Sequence, residues 1–215
     1  MDPKALTKAS SRLRVAQKAV ADLQDCESYD AFGDLWYMFL VAAKNVYTVL
    51  EQGAKANPQS RQWFGAKNQQ RKSDPLLRYV TEARNDDEHG IEPISEFVPS
   101  RIDIGVNKDG ASSHMVDNNG NVFSNCGIAY SFVGEVPKRL PIMRSLDGKP
   151  VHIEDRPAHV RLIRVHDRSK NPYDPPASHL GQKIDGSSPL VVANIMISYL
   201  EALMVEAEKL RRPPP

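Results

Sequence analysis

Residues 74–90 read DPLLRYVTEARNDDEHG, and the fold class turns on them. Asp74 is a good N-cap, and Pro75 falls at the first helical position, where its missing N–H costs nothing. Leu76, Leu77, Val80 and Ala83 then recur at helical spacing, so the segment reads as a helix with one apolar face. Gly90 is placed to stop it in a left-handed conformation, which ends the helix at His89. From Ile91 onward the pattern changes to short β-rich runs separated by prolines and turn signals. The boundary divides a helical first part from a β-rich second part.

Upstream, Leu6, Ala9, Leu13, Ala16, Val20 and Leu23 step by three and four, which predicts a helix over about 3–25. Asp30 is the expected cap of a second helix carrying Phe32, Leu35, Trp36, Phe39, Ala43, Val46, Tyr47 and Leu50, ending near Asn57 because Pro58 disfavours helix before it. Trp36 reads as a packing anchor. Residues 58–73 read as a short helix or ordered connector, pinned to the bundle by Trp63 and Phe64.

Downstream, strands are expected at 101–106, 112–116, 121–132, 141–146, 151–154 and 158–165, with turns at 107–110, 117–120 and 147–148. Residues 171–188 hold three prolines and two glycines and read as a loop. Ser188 and Pro189 repeat the cap-plus-proline start, and Leu190, Ala193, Asn194, Ile197, Leu200, Met204 and Ala207 give the last helix its stripe. Its first half is apolar nearly all round, which predicts deep burial or a subunit contact. The expected fold is α+β: a four-helix bundle from 1–91 and 187–212, with a β-rich hairpin insertion and loop over 92–186 before the last helix.

The chain has 215 residues, a formal charge of +1 and 40% apolar residues. That balance excludes binding to nucleic acid through bulk charge, and the apolar share excludes disorder throughout. The longest apolar run, Leu35 to Ala43, is nine residues, far below the ~20 of a membrane span. Residues 1–15 lack the apolar block of a secretory signal. Cys26 and Cys126 have no metal-type spacing and read as buried free thiols in a reducing cytoplasm. No membrane association is expected. The charge is nonetheless uneven: residues 54–73 hold five bases (Lys55, Arg61, Lys67, Arg71, Lys72) and no acid, whereas 82–96 holds six acids and one arginine. A second basic stretch, 138–170, has nine bases to four acids.

The chemistry concentrates at the end of the 74–90 helix. Arg84 continues an apolar face, where a guanidinium needs an acceptor: a carboxylate, a partner subunit or a phosphate. Asn85 and His89 lie one turn apart on a neighbouring face. A neutral imidazole can take the proton of a ribose 2′-hydroxyl, and a guanidinium can hold the phosphate as it gains charge. The spacing alone is weak evidence, since chance supplies roughly one such pair here. Arg161 and His166 are a second match. Glu82, Asp86 and His89 share a helix face and are the metal-ligand alternative, although no other expected helix carries a histidine. There is no phosphate-binding glycine loop, nucleophile elbow or CxxC motif.

Arg84, Asn85 and His89, at a helix end within this order of helices, resemble the HEPN superfamily, whose catalytic members carry an R-x4-6-H motif with a polar residue after the arginine. The resemblance covers the four helices, about half the chain, while the β insertion departs from the compact form of the family. It implies a helical bundle, a homodimer, and a metal-independent endoribonuclease without cofactors, of toxin or phage-defence type, held in check by an antitoxin or other protein partner. Arg84 and His89 would be the catalytic pair in a cleft shared by two subunits, cleaving RNA through 2′-hydroxyl attack. Asn85 would orient the histidine or a phosphate oxygen. Lys67, Arg71 and Lys72 would supply a phosphate track into the site. Some members have lost activity. The alternative is therefore a non-catalytic interaction or adaptor protein in which Asp86, Asp87 and Glu88 pair with Arg84 or with the basic connector as a structural polar network.

Overall fold

The computed structural model describes residues 1–26, 28–106, 112–116, 121–122, 128–133, 140–145 and 151–211, with side chains for those outside 101–155. Among the described residues the fold is mostly helical, with five helices and small antiparallel hairpins between the fourth and the last.

Helix α1 (Pro3–Gln24) buries every residue of its expected stripe, with Ala19 added. It packs most extensively on α2 (Tyr29–Ala54), whose expected stripe is buried at Phe32, Trp36, Phe39, Ala43, Val46, Tyr47 and Leu50 and partly covered at Leu35. Trp36 is 1% exposed, which bears out its role as a packing anchor. The cap is Ser28 rather than Asp30: the Ser28 hydroxyl accepts from Ala31 N at 3.1 Å, and Asp30 sits in the first turn near the positive end of the helix dipole.

The chain then breaks at Asn57, which is extended and caps α3 (Pro58–Ser73) through its side chain. Pro58, expected only to end a helix, also starts one. The short connector is thus a helix of 16 residues, docked through buried Phe64 and half-buried Trp63. Asp74 ends α3 and caps α4 (Pro75–His89), as its sequence position requires. Gly90 differs from expectation. Its φ of −91° and ψ of 174° are extended. Glycine is needed there because a Cβ would lie 2.6 Å from the Asp86 carbonyl oxygen, which accepts Gly90 N–H.

Helix α5 (Pro189–Lys209) begins at Ser188 and Pro189 as expected and packs on α1, α2 and α4. Ala193, Leu200, Met204 and Ala207 of its expected stripe are buried, with Val192, Met196, Tyr199 and Leu203 added, whereas Leu190 and Ile197 are partly covered and Asn194 is exposed. Length and composition alone would let α5 cross a membrane, a test that the core helix of a globular protein also passes.

The strands are β1 (Ser95–Val98), β2 (Arg101–Val106), β3 (Ser112–Val116), β4 (Asn121–Val122), β5 (Ile128–Val133), β6 (Leu140–Ser145), β7 (Val151–Arg156), β8 (His159–Leu162), β9 (Val165–His166), β10 (Pro172–Tyr173), β11 (Ser178–His179) and β12 (Gln182–Lys183). Two compact units emerge: residues 1–96 with 160–215, and residues 97–159. The smaller unit contains an antiparallel sheet in the order β4-β3-β2-β7 and a β5-β6 hairpin. In the larger one, the 171–188 segment, expected to be a loop, carries three two-residue strands: β10 pairs with β9, and β11 with β12. The turns expected at 107–110, 117–120 and 147–148 lie outside the described residues, as does Cys126. Cys26 is half-buried rather than buried.

Candidate functional site

Helix α4 is the spine to which the returning chain is tied. Tyr79 Oη donates to Ile163 O at 2.7 Å, the Asp86 carboxylate accepts His166 N at 2.8 Å, and Arg78 Nη2 donates to Tyr173 Oη at 2.8 Å. At the helix start, Asp74 accepts from Leu77 N, Leu180 N and His179 Nδ1 at 3.0, 2.7 and 3.0 Å. Burial opposes ionisation of Asp74, but the Leu180 and Leu77 amides and His179 outweigh it and hold the carboxyl below its usual range. Residues 163–180 thereby line one side of α4 with fixed groups.

Arg84 is 17% exposed and pairs with Glu88 one turn on. Its Nε is buried with no hydrogen-bond partner among the described residues, an arrangement that costs about 1–3 kcal/mol. Asn85 Nδ2 donates to Glu82 at 3.1 Å, and its Oδ1 accepts from Lys44 Nζ at 3.5 Å. His89 is exposed, and its Nε2 lies 2.8 Å from Arg168 Nη2. A guanidinium only donates, so the imidazole presents a lone pair on Nε2 in this contact. The three motif residues therefore stand on the last two turns of α4 but bond to different neighbours.

Sequence reasoning missed two residues here, Lys44 and Arg168. Burial lowers the Lys44 pKa, as do nearby Arg84, Arg71 and Arg168, with Glu88 opposing. One signal was available, since Lys44 is the lone basic residue of the 26-residue α2. Arg168 comes from the turn between β9 and β10, and nothing local points to it.

The expected phosphate track divides. Lys67 is 19% exposed and bound to Glu206 of α5 at 2.7 Å, beside the Trp63 indole, which donates to the same carboxylate at 2.9 Å. Arg71 lies over the Tyr47 ring at 4.8 Å and donates to Asn68, while Lys72 is exposed. Arg71 and Lys72 line a cleft of about 400 Å³ with Arg78, Thr81, Glu82 and Tyr173.

The acids beside the motif are largely engaged: Glu88 with Arg84, Asp86 with the His166 amide. Burial, then Glu88 and Asp86, raises the Asp87 pKa toward its neutral form. Glu82, Asp86 and His89 take separate partners, and among the described residues no group of three His, Cys, Asp or Glu gathers around a metal position. The second arginine–histidine match does not assemble either. Arg161 binds Glu96 at 2.8 and 3.0 Å, and His166 is held through its backbone. Of the second basic stretch, Arg161 and Arg164 are paired with Glu96 and Asp174, and side chains before residue 156 lie outside the described set.

Compared with known proteins, the chain matches no family model, no curated protein and no solved structure.

Proposed function

We propose that this chain is a HEPN-like, metal-independent endoribonuclease acting as a homodimer. His89 takes the proton of a ribose 2′-hydroxyl, and the 2′-oxygen attacks the adjacent phosphorus. The bond to the 5′-oxygen breaks, leaving a 2′,3′-cyclic phosphate, and the departing 5′-oxygen takes a proton from water to become the 5′-hydroxyl. Arg84 holds the phosphate as charge grows on it, and Asn85 fixes the geometry. The observation that carries this reading is electrostatic. Burial first, and with it Arg84, Arg71 and Arg168, disfavours the charged form of Lys44, which Glu88 favours, and Lys44 reaches Asn85, one turn before the exposed His89 imidazole. Such mutual repulsion is relieved by a bound anion. A cytoplasmic toxin or defence role, and a protein partner restraining it, accompany the proposal.

The Arg84–Glu88 pair favours a second reading, a non-catalytic interaction module in which the guanidinium already has its acceptor. Subunit mixing separates the two. Arg84→Ala and His89→Ala proteins, each inactive alone, should regain RNA cleavage with cyclic phosphate ends when co-refolded, because mixed dimers would hold one intact arginine and one intact histidine. Wild-type protein that leaves RNA intact under the same conditions favours the module.

A further inference from the structure

The cleft between α3, α4 and β10 gathers basic side chains that no carboxylate among the described residues meets. By contrast, Lys67 pairs with Glu206, Arg84 with Glu88, Arg161 with Glu96, Arg164 with Asp174 and Arg211 with Glu208. Arg71, Lys72 and Arg78 converge on one concavity, and among the described residues none of them forms an ion pair. Their contacts are neutral: Asn68 and the Tyr47 ring for Arg71, the Tyr173 hydroxyl and ring for Arg78. Glu82 is the one acid in the wall, and it accepts from Asn85.

Arg78 is also held in place. Its guanidinium lies 4.5 Å from the centre of the Tyr173 ring and donates to the hydroxyl, which donates onward to Asp167 at 3.1 Å. A planar donor fixed at the mouth of a basic cleft suits phosphate oxygens, which can accept two parallel hydrogen bonds. The cleft adjoins the α4 motif through Arg71, which acts on Lys44, and Lys44 reaches Asn85.

We propose that this cleft binds consecutive phosphates of an RNA strand, with Arg71, Lys72 and Arg78 as the contacts and Tyr173 positioning Arg78. Lys67 takes no part. The proposal rests on the ribonuclease reading for the identity of its ligand, not for the existence of the site.

The test is binding of a short 2′-O-methyl oligoribonucleotide, which cannot be cleaved, by fluorescence anisotropy over a salt series. Removing one phosphate contact from a single strand lowers the slope of log K against log salt by about 0.7, equivalent to about fivefold in affinity at 0.1 M salt. Lys72→Gln and Arg78→Gln should each show that loss, and the double variant about 25-fold. Lys72 is exposed, so Lys72→Gln should lose affinity with an unchanged melting curve; Arg78→Gln also removes the tie to Tyr173, and its affinity is read well below its own melting temperature. Lys67→Gln should bind like wild type. Equal weakening by Lys67→Gln, or wild-type affinity in the two cleft variants, would overturn the proposal. Adenosine diphosphate is the second probe: tight binding of it without oligonucleotide binding replaces the strand by a free nucleotide and overturns the proposal as well. Cleft-dependent oligonucleotide binding by a protein that cleaves no RNA leaves this site standing while the ribonuclease reading fails.

Discussion

Asp74 joins three parts of the molecule, and Asp74→Ala should be the most damaging single polar substitution in the helical unit. The residue is 5% exposed and accepts from Leu77 N, Leu180 N and His179 Nδ1. Losing the cap costs about 1 kcal/mol. Orphaning the Leu180 amide, whose 2.7 Å bond is charge-assisted, costs about 1.5–3 kcal/mol more. A total of about 3 kcal/mol corresponds to a fall in melting temperature of roughly 6–12 °C for a chain of this length. Asp74→Asn keeps an acceptor for the cap and should lose roughly a third of that. The pH dependence has a definite sign. The folded-state pKa is depressed, so the stabilisation is fully present above the unfolded value of about 3.9 and disappears as pH falls through the folded one. Thermal melts followed by helical circular dichroism should show the gap between wild type and Asp74→Ala narrowing below about pH 4. A gap under about 1 kcal/mol at neutral pH, or one unchanged down to about pH 2, would refute the assignment of Asp74 as an ionised hub.

Other substitutions probe separate parts of the account. Leu180 has φ of 47° in the two-residue turn joining β11 and β12, next to Gly181 at 81°, so Leu180→Asn should raise stability by about 1 kcal/mol in denaturant titrations. Gly186→Ala places a Cβ 1.7 Å from the Pro176 carbonyl oxygen and should cost about 3 kcal/mol or displace the 176–186 segment, which proteolysis would report. Glu88→Gln removes the negative charge paired with a largely covered guanidinium and should lower stability by about 1–2 kcal/mol. The same change leaves Arg84 available to phosphate, so RNA affinity should increase in the anisotropy assay.

Sequence legibility followed the range of the forces involved. The α1 stripe and the Asp74-Pro75 and Ser188-Pro189 starts are local patterns, and each corresponds to what the structure contains. Helix α3 was harder to see because Ser60 and Phe64 are its only buried residues, so it has no stripe to display a period. Its docking depends on Glu206, more than 130 positions away, which also removes Lys67 from the expected phosphate track. Gly90 was placed at the right position for a different reason: space beside the Asp86 carbonyl rather than a left-handed turn. Within the candidate site, Arg84, Asn85 and His89 share a recognisable helix end. Lys44, Arg78, Arg168 and Tyr173 reach that region through tertiary contacts that no spacing rule encodes.

The central claim is that the α4 end performs chemistry on RNA, and the most direct measurement is cleavage of single-stranded RNA in excess EDTA by wild-type and His89→Ala proteins. His89 is exposed and contributes nothing to the buried core, so the variant should fold with an unchanged melting temperature. The account predicts cleavage by the wild type and its loss in His89→Ala. Equal cleavage by the two proteins, or an intact RNA with both, would contradict it.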